Sequence, residues 1–333
     1  MNSVLISEAG GEQFVIDWFS THISDSHSKL ALGIGDDCAV LPAAGSTLVT
    51  TDILIENTHF RTDINHYRDI GWKSVAVNLS DIAAMGGTPT FTFLSIGLPD
   101  MDAEDACELF TGIAECVEAS GSVIAGGDTV FSSSGITISV TQLGLVGLSG
   151  PVKRTGARVG DSIIVTGTLG DSLAGLKLLI RDGLGKSETE QTYIVHRHIH
   201  PEPRLSASIA AVSNCYVNAM MDLSDGLCKD LHRLCEASKV GALIESVKLP
   251  VSEQLHTAAS SLSTTAAHLA ASGGEDYELL LTCSEEHTES VLRAIDEVGC
   301  QATVIGKITQ SHEVILMDEN SHPVSWPNAW EHF

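Results

Sequence analysis

Along this chain, short apolar runs of strand-forming residues lead repeatedly into aspartate, usually beside glycine. Leu30 to Ile34 precedes Gly35, Asp36 and Asp37. Thr47 to Thr51 delivers Asp52, and Ser122 to Ala125 runs into Gly126, Gly127 and Asp128. Val217 to Met221 leads into Asp222, with Asp225 three residues later, and Asn78-Leu79-Ser80-Asp81 adds a fifth segment. Each pattern reads as an extended segment followed by a turn. In α/β folds the ligand crevice lies beyond the carboxyl ends of strands. One such aspartate is most often a cap or turn residue. Five segments with a shared signature predict carboxylates that converge.

Converging carboxylates repel one another unless cations sit between them. Asp side chains suit magnesium, which takes oxygen ligands and retains water, and magnesium in turn bridges carboxylates to phosphates. Calcium fits less well, since no EF-hand loop is present. The chain has 43 acidic against 18 basic residues and a net charge of −25. Such a surface repels phosphate backbones, so neither nucleic acid nor an anionic membrane is an expected partner. The longest apolar runs, such as Ser139 to Leu148, are broken well before membrane-spanning length. The N-terminal segment has no basic-then-apolar leader pattern. Eight cysteines are scattered without a C-x-x-C pair, as free thiols in a reducing compartment would be. The expected location is the cytoplasm.

A length of 333 residues, 43% of them hydrophobic and 18% charged, predicts a globular protein of two domains. Strands are expected at Thr47 to Thr51, Thr90 to Ile96, Ser122 to Ala125 and Ile136 to Leu148, with helices at Ile70 to Met85 and Asp102 to Ser120. The turn-rich stretch Gly147 to Lys153 marks a boundary, giving domains of residues 1–149 and 150–333. Beyond it come strand Ser162 to Val165, helix Ser172 to Ile180, a polar stretch to His200 and helix Arg204 to Ser213. Strand Val217 to Met221, helix Leu227 to Ser238 and strand Ala242 to Ser246 follow. The last expected elements are strand Glu278 to Thr282, helix Glu285 to Val298 and strand Ala302 to Lys307. The turn Thr166 to Ser172 either presents backbone N–H groups to an anion or is a tight turn capped by Asp171. Gly183-Leu184-Gly185-Lys186-Ser187 lacks the first glycine of a phosphate-binding loop, and Gly33-Ile34-Gly35 lacks the last glycine of a dinucleotide fingerprint. His196, His198 and His200 read as a polar connector without a role.

The segments GIGDDCAVL (33–41), TTD (50–52), AVNLSDIAAMGG (76–87), GGDT (126–129), VTGTLGDSLAGL (165–176), MDLSDGL (221–227), SGGEDYEL (272–279) and EHF (331–333) run in order over essentially the whole chain. Together they resemble the thiamine-monophosphate kinase family, of the superfamily that includes aminoimidazole ribonucleotide synthetase. The resemblance implies a two-domain α/β (α+β) fold whose N-terminal domains pair into a homodimer. It implies ATP and thiamine monophosphate as substrates, several magnesium ions, and potassium as a candidate further ion. Its metal ligands would be Asp37, Thr50, Thr51, Asp52, Asp81, Asp128, Asp222 and Asp225. ATP would meet Gly127, Asp128, Arg154 and Ser224. Thiamine monophosphate would meet His59, Glu275 and either Trp326 or Trp330. The acceptor is a phosphate monoester already ionised near neutral pH, so direct in-line transfer needs no general base. Aminoimidazole ribonucleotide synthetase, selenophosphate synthetase, hydrogenase-maturation proteins and a non-catalytic nucleotide-binding or storage protein are the competing expectations.

Overall fold

The structure, a computed structural model, describes residues 39–43, 45–147, 150–184, 189–213 and 216–327. Its first half runs β1 (Ala39–Ala43), β2 (Gly45–Ile55), α1 (Tyr67–Ala84), β3 (Gly87–Leu98), α2 (Ala103–Ser120), β4 (Val123–Phe131) and β5 (Thr137–Val146). These strands form a five-stranded sheet in the order β1-β2-β5-β3-β4, with β3 and β4 parallel and the other neighbours antiparallel. Along β2, Leu48, Thr50 and Leu54 are buried while Thr51, Ile53 and Ile55 are exposed. That period of two means the helices cover one face only. α2 begins where Asp102 accepts the Glu104 N–H at 2.8 Å and stops at Gly121, whose φ is 74°. Both are the sequence's own cap residues.

Where α1 and α2 cross, the backbones nearly touch. A Cβ on Gly71 would lie 2.0 Å from the Leu109 carbonyl oxygen, and one on Gly112 would lie 1.8 Å from that of Arg68. Only a hydrogen fits at either place.

The second half contains β6 (Ser162–Thr166), α3 (Asp171–Asp182), α4 (Thr189–Ile199), α5 (Leu205–Val212), β7 (Val217–Asp222), α6 (Leu227–Ser238) and β8 (Gly241–Glu245). It closes with α7 (Glu253–Ser261), α8 (Ala266–Ser272), β9 (Leu279–Cys283), α9 (Thr288–Asp296), β10 (Ala302–Thr309), β11 (Val314–Met317) and β12 (Pro323–Val324). The sheet order is β12-β11-β8-β10-β6-β9-β7. β6 and β9 are buried at every position because both faces are covered. Ile163, Val165 and Leu280 pack with Leu231 and Leu234 of α6. On the other face Ile164, Leu279 and Leu281 pack with Ala207 and Ala211 of α5 and Val291 and Ile295 of α9. Ala83 and Ala84 of α1 belong to this second cluster, so α1 is a wall shared by both sheets. Among the described residues no helix is long and apolar enough to cross a membrane.

Several expectations change. β2 continues through Ile53-Leu54-Ile55, where burial still alternates past Asp52, and β4 through Thr129-Val130-Phe131, which stay paired with β3 past Asp128. Asp52 and Asp128 therefore lie within strands, Asp81 lies within α1, and Asp222 alone closes its strand. The histidine-rich stretch is no connector but the end of α4. Ile194 packs with Ala174 and Leu178 of α3, and four residues later the same helix face buries His198. α7, α8, β11 and β12 were not anticipated, being short and weak in apolar period. Residues 185–188, which hold part of the discarded phosphate-loop lookalike, lie outside the described residues.

Candidate active site

The inner face of β2 carries Thr50 and Asp52, and α1 packs against it. The Asp52 N–H donates to Asn78 Oδ1 at 3.0 Å, and the Thr50 hydroxyl donates to Asp81. From the second sheet, the end of β7 brings Asp222 to α1, where the Ser80 hydroxyl donates to Asp222 Oδ2 at 2.7 Å. Three carboxylates from both halves of the chain thus gather around one helix. Burial pushes Asp52 up to about 6, the response of a carboxylate withdrawn from water. Tyr277, from the segment before β9, packs into the first core with Leu54 and Phe60. Burial, then the charges of Glu275, Asp52, Asp222 and Asp81, raises its phenol well above the usual range.

The loops following β7 and preceding β9 form one bonded layer. The Glu275 N–H donates to the Ser224 carbonyl at 2.7 Å, that of Tyr277 to Leu223 at 3.0 Å, and that of Leu223 to Glu278 at 2.8 Å. Glu275 and Tyr277 have φ of 63° and 50°. Left-handed backbone at side-chain-bearing residues costs about 1–3 kcal/mol each and persists where surroundings enforce it, commonly at functional sites. The Glu275 carboxylate lies 3.1 Å from Lys73 Nζ and 3.4 Å from His198 Nδ1. Burial alone would raise its pKa, but the Lys73 ammonium foremost, with a smaller contribution from His59, holds it below the usual value. His59 closes the turn after β2, its Nδ1 accepting the Ile55 N–H at 3.0 Å. The two expected acceptor residues are thereby brought into electrostatic reach of each other.

Asp225 faces a different environment from the one expected of a metal ligand. Its Oδ2 pairs with Arg233 at 2.6 Å and Lys229 at 3.0 Å. Asp230 accepts the N–H groups of Asp225 and Gly226, and burial followed by the Asp225 charge raises it to about 7. The charge of Arg154 also reaches Asp230, so Arg154, Ser224 and Asp225 share one end of the second sheet.

Strand alternation separates the remaining expected ligands. Thr51 points to the outer face of the first sheet, where its hydroxyl donates to the Val140 carbonyl at 3.0 Å. Asp128 stands opposite Ser95 in register and with Ser139 and Ser132 lines an outer recess of about 480 Å³. Neighbouring Gly127 lies so near Leu94 that a Cβ would come within 2.1 Å of its carbonyl oxygen. Thr51 and Asp128 therefore face away from Asp52 and Asp81.

Trp326 is not part of this assembly. Its indole N–H donates to the Val314 carbonyl at 2.9 Å on β11, at the far end of the sheet from β9 and β7, where it packs on the cluster that holds Leu231 and Leu234 of α6. Asp37 and Trp330 lie outside the described residues. The turn before α3 is no anion site either, because the Gly170 and Ser172 N–H groups already donate to Asp276 at 2.7 and 3.1 Å. Sequence reasoning missed Lys73, His198 and Tyr277. The strongest available signal was the concentration of Arg197 and His198 in one helix.

Among the described residues no three carboxylate, imidazole or thiol groups close on a single ion. The donors present are hard oxygens, and magnesium takes one or two carboxylates and completes its shell with phosphate and water, so the set fits that ion.

Two mixed sheets share a helix at which aspartates from both meet, and the chain falls in the class of AIR synthase related proteins. The N-terminal domain model of that family matches residues 35–146 and its C-terminal domain model residues 158–319. Thiamine-monophosphate kinase of Escherichia coli (strain K12) is 34% identical over 98% of this chain and 99% of its own length. That of Bacillus subtilis is 33% identical over 92% and 95%. The solved structure of AaThiL complexed with AMPPCP and TMP superposes with a TM-score of 0.87 at 32% identity, covering 100% of both chains. The chain belongs to the thiamine-monophosphate kinase family.

Proposed function

We propose that this protein transfers the terminal phosphoryl group of ATP to thiamine monophosphate, forming thiamine diphosphate. The observation that carries the proposal is the junction at α1, where Asp52, Asp81 and Asp222 lie beside the layer bearing Ser224 and Glu275. The AaThiL complex with AMPPCP, an ATP analogue, and TMP supports both substrates. Arg154 and Ser224 would receive the nucleotide, His59 and Glu275 the acceptor, with Trp330 as the aromatic candidate. Asp52, Asp81 and Asp222 would hold magnesium on the inner side, and Asp128 with Thr51 would serve the outer recess. Magnesium bound there supplies positive charge that screens the two phosphates from each other. The chain's own residues hold donor and acceptor in line, and the ionised acceptor oxygen attacks the γ-phosphorus directly, the new P–O bond forming as the bond to the β-phosphate oxygen breaks and ADP leaves, without a phosphoenzyme. Pairing of two copies through the outer face of the first sheet completes the reading.

The test follows ATP-dependent formation of thiamine diphosphate, first with magnesium and then with excess chelator. Product that disappears on chelation is expected, and Asp222→Asn should lower kcat by roughly 100-fold. Chelator-resistant product, or an Asp222→Asn enzyme with normal kcat, would remove these carboxylates from the reaction.

A further inference from the structure

Lys73 is a lysine in the interior. It sits on the second turn of α1 with 3% of its side chain exposed, and its ammonium meets Glu275 Oε2 at 3.1 Å. A buried ion pair is poor value as a pure stabiliser, since well-packed apolar side chains of similar size often do as well or better. The partner adds to the argument. Glu275 adopts a strained left-handed backbone, keeps 31% of its side chain accessible, and is met on the same oxygen by His198 of α4. His198 is fixed in turn by a 3.0 Å contact between its Nδ1 and Ser172 Oγ. Two groups from two halves of the chain thus meet the carboxylate at Oε2.

We propose that Lys73 and His198 are positioning residues for the acceptor, holding the Glu275 carboxylate in the orientation that receives thiamine monophosphate. This rests on the function proposed above. Lys73 comes from the first half and Glu275 from the second, so the grip forms only when both are docked about α1. It acts through Glu275 and has no direct part in phosphoryl transfer.

The test is calorimetric binding of thiamine monophosphate to the full-length protein, together with steady-state kinetics in both substrates. Lys73→Met should raise Kd and KM for thiamine monophosphate by about tenfold or more while KM for ATP stays within about twofold. Lys73→Arg should recover most of the loss. Glu275→Gln should match Lys73→Met, and the double variant should be no worse than either single one, because the residues act as one unit. If Lys73→Met fails to fold, His198→Asn supplies the same acceptor-specific comparison. Unchanged acceptor affinity, equal loss for both substrates, or additive losses would overturn the proposal while leaving the kinase reading intact. A wild-type protein that makes no thiamine diphosphate would overturn both.

Discussion

Glu278 has no side-chain exposure, yet it is held ionised by two guanidinium groups: Arg197 at 2.6 Å and Arg204 at 2.6 Å. Burial would raise its pKa, and Arg204 before Arg197 outweighs it. His198, on the same helix as Arg197, goes the opposite way. Burial, then the Lys73 charge, pushes it down to about 3 from 6.5. Below pH 6.5 the unfolded chain takes up a proton that the folded imidazole refuses until near pH 3. The neutral histidine therefore costs nothing above 6.5, and stability falls on acidification across that window, by up to about 1.4 kcal/mol per pH unit. Urea unfolding of His198→Gln between pH 7 and 5 should show a shallower decline than the wild type; parallel curves would contradict this. The conspicuous aspartates were legible because each stands out beside apolar or glycine residues. Lys73 and His198 were not, since a lysine or histidine in a helix signals its burial only through partners distant in the chain.

At the level of elements, α1 decides most of the architecture. It covers the inner face of the first sheet and meets the second at Ala83 and Ala84, which explains the small residues of its AVNLSDIAA run. Its crossing with α2 depends on Gly71 and Gly112, whose neighbours are backbone atoms that cannot move aside. Gly112→Ala should cost about 3 kcal/mol or more, read as a lowered unfolding midpoint, with loss of activity following from displacement of Asp81. A variant as stable as the wild type would show that the helices can separate without penalty. The elements themselves were largely readable, with α2 and α6 at nearly their observed limits. Strand ends were not, because Asp52 and Asp128 interrupt the composition of a strand without interrupting its pairing with the neighbouring strand.

For the whole molecule, the outer face of the first sheet carries exposed apolar side chains. Ile53, Phe91, Phe93, Val123, Val130 and Leu145 are exposed on it together, and β4 is exposed along its whole length at the sheet edge. A contiguous apolar face of this kind marks an association site. A dimer is expected in sedimentation velocity, and Phe93→Asp with Val130→Asp should yield monomers with impaired nucleotide binding, since Asp128 lies on that face. An unchanged sedimentation coefficient would place the interface elsewhere. From the sequence alone came the family resemblance, the two-part organisation and the identity of the clustered aspartates, because these are written in local order and spacing. Which face each residue occupies, and that Ser80 meets Asp222 and Lys73 meets Glu275, was decided by the docking of two sheets about α1. Those pairs join positions far apart in the chain, and local periodicity carries no record of which helix face another sheet will cover.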